Sequence, residues 1–149
     1  MLVYFLKGNG MEINSRNHKG QTSLHLVGSD RAEDTGAVLI AAGADIEARD
    51  YKGRTWWLRT VLKDGDRADP EELQAMLDLG ADANAADDAG NNALHLICIG
   101  RNYCDENFEF LLSAGANPLH INRRGETIYH TLMRHYPTYH SFEPEPSFK

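Results

Sequence analysis

The 149-residue chain has few cysteines, no long apolar run and no excess of basic residues. Two cysteines, Cys98 and Cys104, are too few for the disulfide framework of a small secreted domain. The longest apolar stretches, such as residues 38–42, are far too short to cross a bilayer. Residues 1–6 lack the basic start and the small residues of a secretory signal. These absences predict an intracellular protein, cytoplasmic or nuclear, with reduced thiols and no membrane span.

Signatures of catalysis are also missing from the sequence. There is no glycine-rich phosphate loop, no nucleophile in an elbow motif and no carboxylate pair that stands apart from the solvated acids. Cys98, Cys104 and His95 are the nearest candidates for a metal site, but their spacing matches no known ligand pattern. We therefore expect no enzyme activity, no cofactor and no metal.

What the chain does contain is a repeated pattern of two motifs. One motif places a glycine five residues before a histidine or its equivalent, and the other is Gly-Ala-Asp or a variant of it. In both series the spacing between successive glycines is 33, 37 and 35 residues, which indicates structural repeats with an insertion in one of them. The first series comprises residues 20–25, 53–58, 90–95 and 125–130, and the second comprises residues 10–14, 43–47, 80–84 and 115–119.

These motifs resemble the ankyrin repeat, in which a glycine is followed by Thr-Pro-Leu-His and a second helix ends in Gly-Ala-Asp-x-Asn. The resemblance implies an all-α fold, an ankyrin-repeat solenoid of paired antiparallel helices with finger-like turns. It covers residues 1–136, as about three full repeats and two half repeats, and leaves residues 137–149 as a flexible tail. The predicted repeats are residues 1–16 (partial), 17–49, 50–86, 87–121 and 122–136 (partial).

Local signals within the repeats agree with this assignment. Thr22, Thr55 and Thr127 stand where the first helices should begin, and Asn92 takes the same place in the third full repeat. Apolar residues at helical spacing follow, for example Leu24 and Val27. The resemblance also assigns His25, His95 and His130 to one repeat position, where the imidazole bonds to nearby backbone rather than to a ligand.

The second full repeat departs from the consensus. Trp57 occupies the leucine position, so we expect it in the core. Trp56 replaces the proline, and we expect it nearer the surface, with packing against a neighbouring helix as the alternative. The insertion at residues 63–69 should lengthen the loop between the two helices of this repeat.

Charge is sorted between the two sides of the predicted solenoid. The finger turns of ankyrin repeats line a concave surface that binds partners. In this chain they are residues 16–21, 49–54, 86–91 and 121–126, which we call fingers 1 to 4. The finger tips hold seven of the 15 Lys and Arg residues, whereas the loops between helices are acidic. A mostly basic row of fingers on a chain of net charge −7 should attract an acidic partner, unless these charges are simply solvated.

We therefore predict a protein-protein interaction module, acting as an adaptor, scaffold or inhibitor, that binds a partner with an acidic surface. Basic and aromatic residues dominate such contacts. The predicted contact residues are Arg16, Lys19, Arg49, Tyr51, Lys52, Arg54, Trp56, Arg123 and Arg124.

Two alternatives remain open at this point. The apolar residues Leu2, Val3, Phe5 and Leu6 look uncapped, which is consistent with self-association or with a fragment of a larger ankyrin scaffold. Nucleic-acid contact through the basic fingers is less favoured, because the net charge is −7 and no stacking platform is evident.

Overall fold

The structure is a computed structural model that describes residues 12–65, 67–100 and 105–137. Throughout these ranges the chain forms helices and turns and no β-strand, which confirms the predicted all-α fold. The first repeat contains short 3-10 helices at Leu24–Leu26 and Ser29–Arg31 and a π-helical turn at Ala32–Gly36. The α-helices are α1 (Ala37–Ala41), α2 (Trp56–Asp64), α3 (Pro70–Asp78), α4 (Ala93–Ile99), α5 (Asp105–Ser113) and α6 (Ile128–His135).

The helices pack as two rows. In one row, the turn at Leu24–Leu26 contacts α2, α2 contacts α4, and α4 contacts α6. In the other row, the turn at Ala32–Gly36 contacts α3, and α3 contacts α5. The apolar core lies between the rows and between successive helices, and it includes Leu58, Leu73, Leu94 and Leu111, each fully buried. Because every helix buries its apolar side against the next repeat, the core is continuous along the chain.

Polar residues begin the first-row helices as the sequence predicts. The Thr55 hydroxyl accepts a hydrogen bond from the Leu58 amide at 3.3 Å, and the Asn92 side chain accepts one from the His95 amide at 3.2 Å. Each bond satisfies one backbone N–H that the first turn of a helix leaves unpaired.

The first repeat is less helical than predicted. Leu24 is buried, but the expected helix is one 3-10 turn, and Val27 is already extended at φ −78° and ψ 123°. Gly28 and Ser29 follow directly, and both have low helix propensity. The extended backbone also leaves the Val27 carbonyl free to accept a hydrogen bond from the Trp56 indole at 2.8 Å.

This contact corrects the prediction that Trp56 lies nearer the surface. Trp56 is 1% exposed, and a Cβ atom at Gly36 would lie 2.8 Å from its ring. The indole therefore fills space in the first repeat. This agrees with the alternative prediction, that Trp56 packs against neighbouring structure. Trp57 is also 1% exposed, which confirms its core position.

The insertion in the second full repeat forms a loop that starts two residues later than predicted. Lys63 and Asp64 still belong to α2, and α3 begins at Pro70. Asn107 in α5 anchors this loop, because its side-chain amide donates to the carbonyl oxygens of Gly65 at 2.6 Å and Ala68 at 2.9 Å.

Both ends of the predicted solenoid extend beyond the described residues. The partial repeat that contains Leu2, Val3, Phe5 and Leu6 lies outside them, as does most of the predicted tail. Helix α6 ends at His135, close to the predicted stop at Pro137. The repeat boundaries themselves stay predictions.

Candidate functional site

The four fingers share one backbone conformation, which an Asn or Asp side chain stabilises. In finger 1, the Asn17 side-chain oxygen accepts hydrogen bonds from the amides of Lys19 and Gln21 at 2.9 and 3.0 Å. In finger 2, Asp50 accepts the equivalent pair from Lys52 and Arg54 at 2.9 and 3.0 Å. These bonds satisfy backbone amides that regular secondary structure would otherwise pair. Asp87 and Asn122 make the same two bonds in fingers 3 and 4.

Neighbouring fingers stack through backbone hydrogen bonds. The Tyr51 amide donates to the Lys19 carbonyl at 3.2 Å, and the Asp88 amide donates to the Lys52 carbonyl at 3.0 Å. The approach is close enough to require glycine. Gly53 has φ +73°, and a Cβ atom there would lie 2.7 Å from the Asp88 backbone nitrogen. The fingers therefore form a continuous, regular row.

Two of the predicted contact arginines hold this row together. Arg49 donates from Nη1 to the carbonyl oxygens of Gly53 at 2.8 Å and Ala86 at 2.5 Å, so it links fingers 2 and 3. Arg16 makes the equivalent bonds one repeat earlier, to the carbonyl oxygens of Gly20 and Arg49. Their guanidinium groups are partly occupied by structural bonds, which the sequence pattern does not reveal.

Arg54 is tied to its own finger. Its Nε donates to the Asp50 carboxylate at 3.2 Å, in an ion pair whose carboxylate side chain is 2% exposed. Asp50 therefore contributes little free negative charge to the finger surface, because Arg54 and two backbone amides satisfy it.

The remaining basic residues of the finger tips are free to meet a partner. Within the described ranges, the side chains of Lys19, Lys52, Arg123 and Arg124 make no hydrogen bond or ion pair, and all four residues are exposed. Finger 3 interrupts the row, since it carries the exposed Asp88 and no cation. Free positive charge is consequently concentrated on fingers 1 and 2 and, separately, on finger 4.

The two aromatic contact predictions have different outcomes in the structure. Tyr51 is 70% exposed at the tip of finger 2, and its ring packs against the backbone of Gly20. Trp56, in contrast, is buried and offers no surface to a partner. Trp56 is therefore not part of the candidate surface.

Fingers 1 and 2 and helix α2 line a groove together. Its volume is about 520 Å³, and its lining includes Lys19, Tyr51 and Lys52 from the fingers. Helix α2 contributes Arg59 and Lys63, which are not among the residues predicted from the sequence. The sequence does contain a signal that would have grouped these two residues. Arg59 and Lys63 are four residues apart, so they share one face of a helix. We call this the basic groove.

A second, larger cleft of about 600 Å³ lies on the loops between helices of the first two repeats. Its charged lining is mixed: Arg31, Lys63 and Arg67 are balanced by Asp30, Asp64 and Glu72. Ser29 and Glu72 in its lining are hydrogen-bonded to each other at 2.9 Å. This cleft has no preference for one sign of charge, so it is the weaker candidate.

The histidines make the structural contacts that the resemblance implies. Nδ1 of His25 accepts a hydrogen bond from the Thr22 amide at 3.1 Å, so its Nε2 carries the proton and donates to the Arg54 carbonyl at 2.9 Å. Nε2 of His95 lies 3.0 Å from the Glu126 carbonyl. Burial, followed by the nearby His120, lowers the pKa of His95 to about 4. Both histidines thus connect one repeat to the finger of the next.

Of the three metal candidates in the sequence, His95 and Cys98 are described by the structure, and Cys104 lies outside the described residues. Burial raises the pKa of the Cys98 thiol to about 12, so the thiolate that metals prefer is disfavoured. Among the described residues, no three His, Cys, Asp or Glu side chains are placed to hold a metal ion together. In the same ranges, no helix is long and apolar enough to cross a membrane.

Comparison with known proteins agrees with the repeat architecture. The ankyrin repeat family model matches residues 89–123. Ankyrin repeat and SOCS box protein 6 is 33% identical over 116 residues in Pongo abelii and 32% identical over 116 residues in Homo sapiens. These alignments cover 75% of this chain but 27% of each relative. An intracellular phospholipase A2 of Caenorhabditis elegans is 32% identical over 126 residues, covering 78% of this chain and 11% of the relative.

The chain therefore spans about a quarter of the length of the first of these relatives. Ankyrin repeats are generally non-enzymatic modules that bind other proteins. On the family match, the named relatives and the regular stacked fingers, the chain belongs to the ankyrin-repeat family.

Proposed function

We propose that this chain is a protein-binding module, acting as an adaptor, scaffold or inhibitor, that holds the acidic surface of a partner on fingers 1 and 2 and the basic groove. The observation that carries the proposal is the set of free cations. Lys19 and Lys52 are exposed and make no bond within the described residues, on a chain whose net charge is −7. Local charge opposite in sign to the total steers an acidic partner to this surface.

The same proposal assigns different roles to the predicted contact residues. Lys19, Tyr51 and Lys52 contact the partner directly. Arg16, Arg49 and Arg54 keep the fingers in shape through the bonds described above. Arg123 and Arg124 lie on finger 4, outside the proposed contact surface and separated from it by Asp88.

We further propose that the chain has no enzyme activity of its own and works inside the cell. The ankyrin-repeat family, whose model matches residues 89–123, is a non-enzymatic interaction domain. Similarity to the phospholipase A2 covers 11% of that protein and leaves its activity with that protein.

Charge reversal on finger 1 and finger 2 tests the proposal. The double variant Lys19→Glu/Lys52→Glu and the wild type would each be immobilised, and proteins captured from a lysate of the source cell would be identified by mass spectrometry. We expect partners that the wild type captures and the variant loses. A matched control, Arg123→Glu/Arg124→Glu, makes the same change of charge on finger 4.

Equal capture by the wild type and the Lys19→Glu/Lys52→Glu variant would contradict the proposed surface. Circular dichroism and the thermal midpoint of both variants would show that folding is intact. We expect little change, since exposed substitutions without partners alter stability by about 0.5 kcal/mol or less.

Self-association is a second candidate, which one observation favours. Leu119, Ile121, Tyr129 and Met133, near the last described helix, are 63%, 59%, 37% and 44% exposed. Apolar residues in such numbers at one end of a repeat stack are typical of a contact surface. Light scattering over a range of protein concentrations tests this: a constant monomer mass would rule it out.

A further inference from the structure

The basic groove is lined by a helix as well as by finger turns. Helix α2 contributes Arg59, Leu62 and Lys63 to the lining. Finger 2 contributes Tyr51 and Lys52. A partner in this groove would therefore contact a helix and a finger turn at once.

The charge of the lining is strongly one-sided. It includes five Lys and Arg side chains and one acid, Asp50, and Arg54 already neutralises that acid. Lys52 and Lys63 are exposed and have no bonding partner in the described ranges. Arg59 donates from Nη1 to the His25 carbonyl at 3.1 Å, and a guanidinium has further N–H donors for a ligand.

The lining also contains apolar surface between these cations. The Tyr51 ring is 70% exposed, and Leu62 is half-buried. A volume of about 520 Å³ lies within the range of sites that enclose a small ligand or a few side chains. It is too small for the face of a folded domain, so it would take at most a short segment of a partner.

Building on the proposed function, we infer that the basic groove takes a short, acidic, extended peptide segment of the partner. Carboxylates of the segment pair with Lys52 and Lys63, and a neighbouring apolar side chain packs against Tyr51 and Leu62. The expected ligand is a linear motif in which acidic residues flank an aliphatic or aromatic residue. Lys63, on α2, is the residue that distinguishes groove binding from contact with the fingers alone.

Selection from a displayed library of random 12-residue peptides tests the inference. Wild-type protein would be the target, and the enriched peptides would be synthesised with a fluorescent label for anisotropy titrations. We expect enriched sequences with at least two Asp or Glu residues next to Leu, Phe, Tyr or Trp. The double variant Lys52→Gln/Lys63→Gln should weaken their binding by about tenfold or more, since two charge pairs are lost.

The matched control is Arg123→Gln/Arg124→Gln, which removes two cations from finger 4 and should leave peptide affinity unchanged. The inference is overturned if no peptide is enriched, if the enriched peptides show no acidic bias, or if Lys52→Gln/Lys63→Gln binds them as the wild type does. If it is overturned while capture of whole partners still depends on Lys19 and Lys52, the fingers bind a folded acidic surface. The proposed function then stands without the linear motif.

Discussion

At the scale of single residues, the role of a side chain depends on its neighbours as well as on its charge. Arg49 and Lys52 lie three positions apart in finger 2, yet Arg49 bonds to the carbonyl oxygens of two fingers and Lys52 bonds to none of the described residues. His25 and His95 likewise serve as buried links between repeats rather than as reactive groups. The role of each residue follows from the oxygen atoms within its reach.

His95 should make stability depend on pH. Its pKa is about 4 in the folded chain and about 6.5 when unfolded, so the unfolded chain binds the proton first as the pH falls. The contribution is fully present above pH 6.5 and is lost as the pH falls toward 4. We expect a loss on the order of 2–3 kcal/mol in the free energy of unfolding between pH 7.5 and 4.5.

Urea denaturation at the two pH values measures this loss. His95→Gln should be less stable than the wild type at pH 7.5, but its stability should fall less steeply on acidification. An equal pH dependence in the two proteins would show that His95 is not the titrating group.

Two finger glycines allow the cost of backbone conformation to be separated from the cost of finger stacking. Gly53 and Gly125 have nearly the same φ, +73° and +76°, but a Cβ atom at Gly125 would meet nothing within 4 Å. Gly125→Ala should therefore cost about 1–2 kcal/mol, from the left-handed conformation alone. Gly53→Ala should cost roughly 1–3 kcal/mol more, because the new atom overlaps the Asp88 backbone. Equal losses in thermal or urea denaturation would contradict this account of stacking.

At the scale of helices and turns, the second full repeat supplies parts that the first repeat lacks. The Leu24–Leu26 turn is too short to fill its share of the core, and Trp56 at the start of α2 occupies the space. Arg59, one turn further along α2, donates to the His25 carbonyl in the same 3-10 turn. Helix α2 therefore stabilises two repeats.

The adjacent tryptophans should respond differently to replacement by phenylalanine. The Trp56 indole donates to the Val27 carbonyl, whereas the buried Nε1 of Trp57 has no hydrogen-bond partner among the described atoms. Trp56→Phe leaves a carbonyl unsatisfied, and Trp57→Phe removes an unpaired donor. We expect Trp56→Phe to be more destabilising by about 1–3 kcal/mol. Urea denaturation followed by far-UV circular dichroism measures the difference, and an equal or reversed order would refute it.

Finger 2 offers a comparable pair of cations. Arg49→Gln removes the bonds to Gly53 and Ala86 and should lower the free energy of unfolding by about 1–2 kcal/mol. Lys52→Gln should change it by about 0.5 kcal/mol or less while weakening partner binding. Thermal denaturation of both variants checks the stability half of the prediction. Loss of stability in Lys52→Gln alone would mean that the roles are reversed.

At the scale of the whole molecule, charge is divided between surfaces. The chain carries net charge −7, while the lining of the basic groove is predominantly cationic. An acidic partner is repelled by most of the surface and attracted to the basic groove. This difference favours a single orientation of the partner as it approaches.

Partner association should accordingly depend on salt. Once a captured protein or a selected peptide is in hand, its association rate should fall by roughly tenfold between about 50 and 500 mM NaCl, because salt screens the steering charges. The dissociation rate should change less. Stopped-flow measurements on the wild type and on Lys19→Glu/Lys52→Glu would test this, and a salt-independent rate in the wild type would argue against electrostatic steering.

The sequence determined the repeat architecture, because two motifs with the same irregular spacing recur in it and each motif has a local physical cause. The finger glycines need positive φ, and Thr55 and Asn92 satisfy amides at helix starts. Such effects involve residues within a few positions of one another. The all-α fold, the core position of Trp57 and the bond of His25 to nearby backbone could therefore be predicted, whereas the bonds of His25 and His95 to the next repeat could not.

Only the tertiary structure decided which finger cations are free, where Trp56 lies and what forms the basic groove. Arg49 meets Ala86 across 37 residues, and Trp56 meets Val27 across 29. Arg59 and Lys63 belong with Lys19 and Lys52 because α2 and the first two fingers line the same groove. These relations depend on contacts between repeats. A periodic pattern specifies the fold of each repeat, but it does not specify which residues that depart from the consensus come into contact.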